Sequence, residues 1–177
     1  MLSDVFIATP KQIVLDFVSR NYNYEYYDSE VFRELKKLGR ASVNNALREL
    51  ERYGLIERTR KGKIVLNRVK IDHPVVREFK RLRNLTALFP LIQRLQGLAE
   101  KVILFGSQAA GTNLPESDVD LFVVSEEKKK VYRTIDYAET EQQIQAIVYE
   151  SSEYLKMPKR EPELYAEVMK GIVVWER

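Results

Sequence analysis

The chain has 177 residues, 45% of them hydrophobic and 31% charged, which gives room for one ordinary domain or two small ones and excludes a disordered chain. It has no cysteine, so disulfides and zinc ribbons are excluded, and its single His73, before Pro74, reads as part of a linker turn rather than a zinc site or catalytic dyad. The net charge of +3 is uneven: residues 1–100 carry 19 Lys or Arg against 12 Asp or Glu, and residues 101–177 carry 10 against 14, so the first part suits a polyanion and the second a site that gathers cations.

No uncharged apolar run reaches about 18 residues, and Met1-Leu2-Ser3-Asp4-Val5 lacks a basic flank and a long apolar core. Neither a membrane span nor a signal peptide is expected, and the chain is read as cytoplasmic. A first helix is predicted from Thr9 to Arg20, with Thr9 as cap, Pro10 in the first turn and Ile13, Val14, Phe17 and Val18 at helical spacing. The connector Asn21–Tyr27, NYNYEYY, offers tyrosines that either stack on bases or cover a small core.

Asp28–Leu38, ended by Gly39, and a helix capped by Ser42 and carrying Val43, Ala46, Leu47 and Leu50, ended by Gly54, form two short helices around a tight turn. A hairpin follows, Leu55–Arg60 and Lys63–Arg68, turned by Lys61-Gly62. Together with the phrase Leu50-Glu51-Arg52-Tyr53-Gly54-Leu55-Ile56, this region, about residues 8 to 70, resembles a winged helix-turn-helix DNA-binding domain. The resemblance implies that Ser42, Asn44, Asn45 and Arg48 meet bases and phosphates in the major groove. It also implies that Arg58, Arg60, Lys61 and Lys63 meet phosphates or the minor groove. A winged fold used to bind protein or to form a homodimer is the alternative.

The domain boundary is expected near Lys70–Pro74, giving a DNA-binding domain over residues 1–72, connecting helices over 73–99 and a second domain over 100–177. The connecting region reads as two helices, one carrying Val75, Val76, Phe79 and Leu82, the other running Leu85–Leu98 with Leu88, Leu91, Ile92 and Leu95 and a Pro90 near its middle or start.

Val102-Ile103-Leu104-Phe105 is a short apolar run suited to a buried strand, and it stops at Gly106-Ser107, where glycine permits a sharp bend and serine adds a hydroxyl. A loop leads to a second strand, Ser117–Val124. Asp118 and Asp120, two apart, are expected to share one face. Like charges at the mouth of an apolar strand are costly unless a proton or cation intervenes, which points to a divalent metal and to phosphate chemistry. Solvated aspartates on a surface strand are the bland alternative, but Leu121–Val124 is too apolar for one.

Gly106-Ser107, ten residues and Asp118-Val119-Asp120 resemble the signature of the minimal nucleotidyltransferases of the DNA polymerase-β superfamily. The fold implied is mixed α+β, a winged helix-turn-helix followed by a small polymerase-β-like domain with a mixed sheet. The resemblance implies Mg²⁺ or Mn²⁺ held by Asp118 and Asp120. It implies a nucleoside triphosphate, with ATP first in line, held by Gly106, Ser107, Gln108 and Ser117, and catalysis by Asp118, Asp120 and Ser107. The acceptor hydroxyl within that family belongs to a small antibiotic or to a protein, including a HEPN-type toxin partner. The family's third carboxylate comes from a neighbouring strand, and here its place falls at or near Gln145, an amide that cannot take a proton. A DNA-binding regulator or antitoxin whose second domain binds nucleotide or partner without turnover therefore stands beside the enzyme reading.

Glu126–Lys130 reads as the solvated start of a helix continued by Val131, Ile135 and Ala138, with a phosphate-binding role for its lysines the lesser alternative. Gln143–Tyr149 reads as a strand, Ser151–Met157 and Glu161–Lys170 as short helices, and Ile172–Trp175 as a last strand or tail.

Overall fold

A computed structural model describes residues 2–177. They fall into two compact units, the first ending at Arg83 and the second running Asn84–Arg177.

The first unit opens with α1 (Ser3–Phe6) and α2 (Pro10–Arg20). Thr9 caps α2 as its chemistry predicts: its hydroxyl accepts the Gln12 N–H at 3.3 Å, and the Gln12 side chain accepts the Thr9 N–H at 3.0 Å. There follow β1 (Tyr26–Tyr27), α3 (Asp28–Glu34), α4 (Arg40–Arg52), β2 (Ile56–Lys61) and β3 (Ile64–Val69), the strands forming an antiparallel sheet in the order β1-β3-β2. Val43, Ala46, Leu47 and Leu50 form the inner stripe of α4 and pack with Val14, Leu15, Val18, Val31, Ile56 and Val69. Burying each Val or Leu contributes about 1.5–3 kcal/mol of transfer free energy, so this stripe decides how the helices dock. At the end of α4, Gly54 adopts φ +73°, and the Leu55 N–H turns back to the Leu50 carbonyl at 2.9 Å.

The boundary between α3 and α4 differs from the expectation. Leu35 leaves helical geometry (φ −97°, ψ 51°), and Leu35 and Leu38 pack on the core from a turn instead of from a helix. Gly39 becomes the N-cap of α4, its carbonyl accepting the Val43 N–H at 3.1 Å, so Ser42 lies inside the first turn and caps nothing. In the connector before α3, Tyr26 packs against Phe17 with ring centroids 4.9 Å apart and against Tyr24 at 4.7 Å. Core cover is thus what Tyr22 and Tyr26 provide, while Tyr24 and Tyr27 keep exposed faces.

Helix α5 (Pro74–Leu95) forms where two helices were expected, and Pro90 lies within it without ending it. The backbone bond lost to proline is offset by the burial of Leu88, Leu91, Ile92 and Leu95 on the second core. Within the first unit, Lys80 of this helix is buried. Its ammonium donates to the Ser19 carbonyl at 2.6 Å and lies 5.5 Å from the centre of the Tyr22 ring.

The second unit continues with β4 (Lys101–Phe105), α6 (Gly106–Ala110), β5 (Val119–Val124), α7 (Lys128–Asp136), β6 (Ile144–Tyr149), α8 (Ser151–Arg160), α9 (Pro162–Val168) and β7 (Ile172–Glu176). Its sheet runs β6-β5-β4-β7, parallel between β5 and β6 and antiparallel elsewhere, the mixed sheet expected of the fold. Alternation sorts the strand residues onto two faces. Val102, Leu104, Leu121, Val123 and Val148 pack with Leu88, Leu91, Ile92 and Leu95 of α5 and Val131 and Ile135 of α7. Ile103, Phe105, Phe122 and Val124 pack with Met157 of α8 and Val168 of α9. Among the described residues no helix is long and apolar enough to cross a membrane.

Candidate active site

Phe105 closes β4, and the next residue, Gly106, turns the chain into α6 with φ +65°. Glycine is required there twice. That backbone conformation disfavours any β-carbon, and a β-carbon placed on Gly106 would fall on Oδ2 of Asp120. The juxtaposition follows from register, because Phe105 and Asp120 are opposite one another across the β4–β5 ladder. Asp120 shares its sheet face with Phe122 and Val124, the face covered by α8 and α9.

Asp118 comes one residue before β5, which starts at Val119 and not at Ser117 as the spacing predicts. Its carboxylate still bears on its neighbour. Partial burial pushes the Asp120 carboxyl above its ordinary pKa, with the charges of Asp118 and then Glu167 adding to the effect. Glu167 belongs to α9 and carries no motif, so nothing in the sequence relates it to Asp120. Gln145 is the partner of Asp120 in the parallel β5–β6 ladder, and its Nε2 donates to Oδ2 of Asp118.

The other predicted site residues separate by exposure. Ser107 is half-buried, and its carbonyl accepts the Thr112 N–H at 3.0 Å. Ser117 is half-buried, and its hydroxyl accepts the Leu114 N–H at 2.8 Å, which shapes the loop before Asp118. Gln108 departs from the expectation. It is only 1% exposed and donates through Nε2 to Oε1 of Gln142 at 3.1 Å, so its side chain supports the domain from within and leaves only main chain for a nucleotide.

Whether these groups fit a cation depends on the donor set. Among the described residues no three Asp, Glu, His or Cys side chains gather at metal-binding distance. Asp118 and Asp120 alone suit Mg²⁺, which takes one or two carboxylates and completes its shell with water and phosphate oxygens. The upward shift of Asp120 comes first from burial and then from the charges of Asp118 and Glu167, and a cation between the carboxylates would oppose all three.

In the first unit, Ser42, Asn45 and Arg48 are exposed on α4, Asn44 is half-buried, and Arg60, Lys61 and Lys63 are exposed on the β2–β3 hairpin. Arg58 does not join them. Its Nη2 donates to both Asp28 carboxylate oxygens at 3.1 and 2.8 Å, and its Nε donates to Asn67 at 2.8 Å. Only 11% of its side chain is exposed, so it holds α3 to the sheet and has no free fork for phosphate.

A mixed sheet with helices on both faces, a glycine-serine bend at one end, Asp120 against that bend and Asp118 acting on its charge make the second unit an α+β nucleotidyltransferase-like domain. Residues 88–173 match the family model described as nucleotidyltransferase domain. A solved structure of a candidate nucleotidyltransferase from Sulfolobus solfataricus is 20% identical, covering 57% of this chain and 87% of its own, with a TM-score of 0.40. A structure of the DNA recognition and protein interaction domains of HOP2, concerned with homologous DNA pairing, is 30% identical over 34% of this chain and 98% of its own, with a TM-score of 0.33. TrmBL2, an archaeal chromatin protein with its own mode of DNA binding, is 13% identical over 88% of this chain and 76% of its own, with a TM-score of 0.27. No curated protein sequence matches the chain.

Proposed function

We propose that the protein transfers a nucleoside monophosphate from a Mg²⁺-bound nucleoside triphosphate, ATP in the first instance, to a hydroxyl acceptor, and that its first unit binds DNA. The observation that carries the reading is the packing of the Asp120 carboxylate against Gly106, with Asp118 close enough to act on its charge. The bend leaves Ser107 and adjacent N–H groups to hold phosphates, and the aspartates to hold the cation. A bound Mg²⁺ supplies charge neutralisation at the α-phosphate. The acceptor hydroxyl oxygen attacks the α-phosphorus, its proton passes to water because the Gln145 amide cannot take it, and the bond to pyrophosphate breaks, pyrophosphate leaving with the electron pair.

Incubation with labelled ATP, Mg²⁺ and cell extract tests this reading. Label passes to an acceptor with the unsubstituted protein and not with Asp118→Asn plus Asp120→Asn; equal labelling by both overturns the reading. The two acceptor classes that the resemblance implies, a small antibiotic and a partner protein such as a HEPN-type toxin, differ in whether the label is carried by a small molecule or a polypeptide.

Gln145 favours a second reading, in which nucleotide is bound as a signal and not consumed. An amide facing Asp118 takes no proton, so the site holds phosphates and metal with no base opposite Asp120. Gln145→Glu separates the two. If the missing carboxylate is what stops turnover, the variant gains transfer; if the unsubstituted protein already turns over, the second reading falls. For DNA, the element order α2-β1-α3-α4-β2-β3 suits a winged helix-turn-helix, with α4 and the hairpin presenting Asn45, Arg48, Lys61 and Lys63. Affinity that falls steeply as salt rises supports phosphate contacts, and a flat dependence overturns them.

A further inference from the structure

Between the bend and Asp118 the chain makes a loop, Gly111–Ser117, and three amide side chains at it, Asn84, Gln108 and Asn113, are buried. Asn84, near the middle of α5, is 4% exposed. Both hydrogens of its Nδ2 are used: one goes to the Gln108 carbonyl at 2.9 Å, the other to Oδ1 of Asn113 at 2.9 Å. Asn113 is itself 4% exposed. The Gln108 side chain continues the chain of amides to Gln142, whose Nε2 donates to the Pro115 carbonyl at 3.4 Å.

The contacts fall on both ends of the segment. Gln108 is the middle residue of the short helix that starts at the Gly106-Ser107 bend, and Pro115 lies three residues before Asp118. Within the loop, Gly111 takes φ +68°, the Thr112 N–H returns to the Ser107 carbonyl at 3.0 Å, and the Leu114 and Ser117 N–H groups bond within the turn. Such a loop has few ways to relax if its anchor is removed, because buried carbonyls without donors are costly.

We infer that Asn84 is a positioning residue for nucleotide binding: by donating to Gln108 and Asn113 it sets where the Ser107 bend stands relative to Asp118 and Asp120. This rests on the nucleotide reading of the site. Asparagine suits the task because it offers two hydrogens from one nitrogen without a charge in a dry environment. Aspartate at the same place has the same shape but presents acceptors to the Gln108 carbonyl and to Asn113.

The test compares Asn84→Ala and Asn84→Asp with Leu91→Ala, a core substitution on the same helix at a side chain that makes no hydrogen bond to the loop. In the two Asn84 variants, amide hydrogen exchange at Thr112, Leu114 and Ser117 accelerates, and affinity for Mg-ATP falls about tenfold, the scale of one lost buried hydrogen bond. Affinity for Mn²⁺ alone stays unchanged. Leu91→Ala lowers the melting temperature but leaves nucleotide affinity as it was. Loop exchange in Asn84→Ala equal to that of the unsubstituted protein overturns the inference. So does an equal loss of affinity in Leu91→Ala, which would assign the effect to stability alone. If the unsubstituted protein binds no nucleotide, the function reading fails and this role with it; if it binds and Asn84→Ala binds equally, only the role of Asn84 fails.

Discussion

The carboxylate of Asp120 fills the space that a β-carbon on Gly106 would need. Gly62, in the hairpin of the first unit, has almost the same backbone conformation, φ +64° against +65°, but nothing stands within 4 Å of where its β-carbon would be. Alanine at Gly62 therefore costs only the left-handed strain, about 1–2 kcal/mol. Alanine at Gly106 costs that strain and also displaces Asp120. Thermal unfolding and Mn²⁺ titration of both variants check this: Gly106→Ala loses more stability and weakens metal binding, and Gly62→Ala leaves metal binding intact.

The raised carboxyl of Asp120 fixes a pH dependence. Its pKa in the fold lies above the unfolded value, so its contribution to stability is fully present below the unfolded pKa and is lost as pH rises through the folded one. At neutral pH the charged form is a net cost. Asp120→Asn raises the melting temperature of chelator-treated protein at pH 7 by a few degrees or less, and the gain shrinks as the pH falls through the carboxylate range. Glu167→Gln removes one contributor to the shift and moves the Asp120 titration, followed by NMR, towards its ordinary value.

Lys80 behaves in the opposite sense. Burial first, then the charge of Arg83, pulls its pKa from 10.5 to about 8, while Asp16 acts the other way. A depressed lysine contributes stability that is present above the unfolded pKa and is lost as pH falls through about 8. Stability of the first unit thus rises between about pH 8 and 10 relative to Lys80→Met, measured by urea unfolding at each pH. Parallel curves for the two proteins contradict the assignment.

Arg58 and Arg48 look interchangeable in the sequence and are not. Arg58→Ala removes the donor to Asn67 Oδ1 and to Asp28 Oδ2, leaving Asp28 only the Asn67 amide at 2.7 Å, and costs about 1.5–3 kcal/mol. Arg48→Ala lies on the exposed face of α4 and changes stability by about 0.5 kcal/mol or less. On DNA the order reverses: Arg48→Ala lowers affinity and makes the salt dependence shallower by about one unit of slope. Unfolding curves and DNA titrations across a salt series check both halves.

What the sequence discloses here follows from which interactions are local. The Thr9 cap, the Gly54 stop, the α4 stripe and the Gly106-Ser107 to Asp120 spacing are all written over a few residues or a fixed interval, and each forms as read. The break after Glu34 was hidden because Leu35 and Leu38 keep helical spacing while packing from a turn. Arg58 and Gln108 are misleading for one reason: surface chemistry in the sequence is satisfied in the fold by Asp28 and Asn67 in one case and by Gln142 in the other. Asn84 and Glu167 come from α5 and α9, far along the chain from the residues they act on, with no motif around them.

The central claim is that the paired aspartates hold a cation against the phosphates of a nucleotide beside the Gly106 bend. Calorimetric titration of Mg-ATP into the intact protein, alongside Asp118→Asn plus Asp120→Asn, measures it most directly. The account predicts saturable binding that depends on divalent cation and is lost in the double variant. Binding of equal strength in both proteins, or none in the unsubstituted protein with either Mg²⁺ or Mn²⁺, would contradict it.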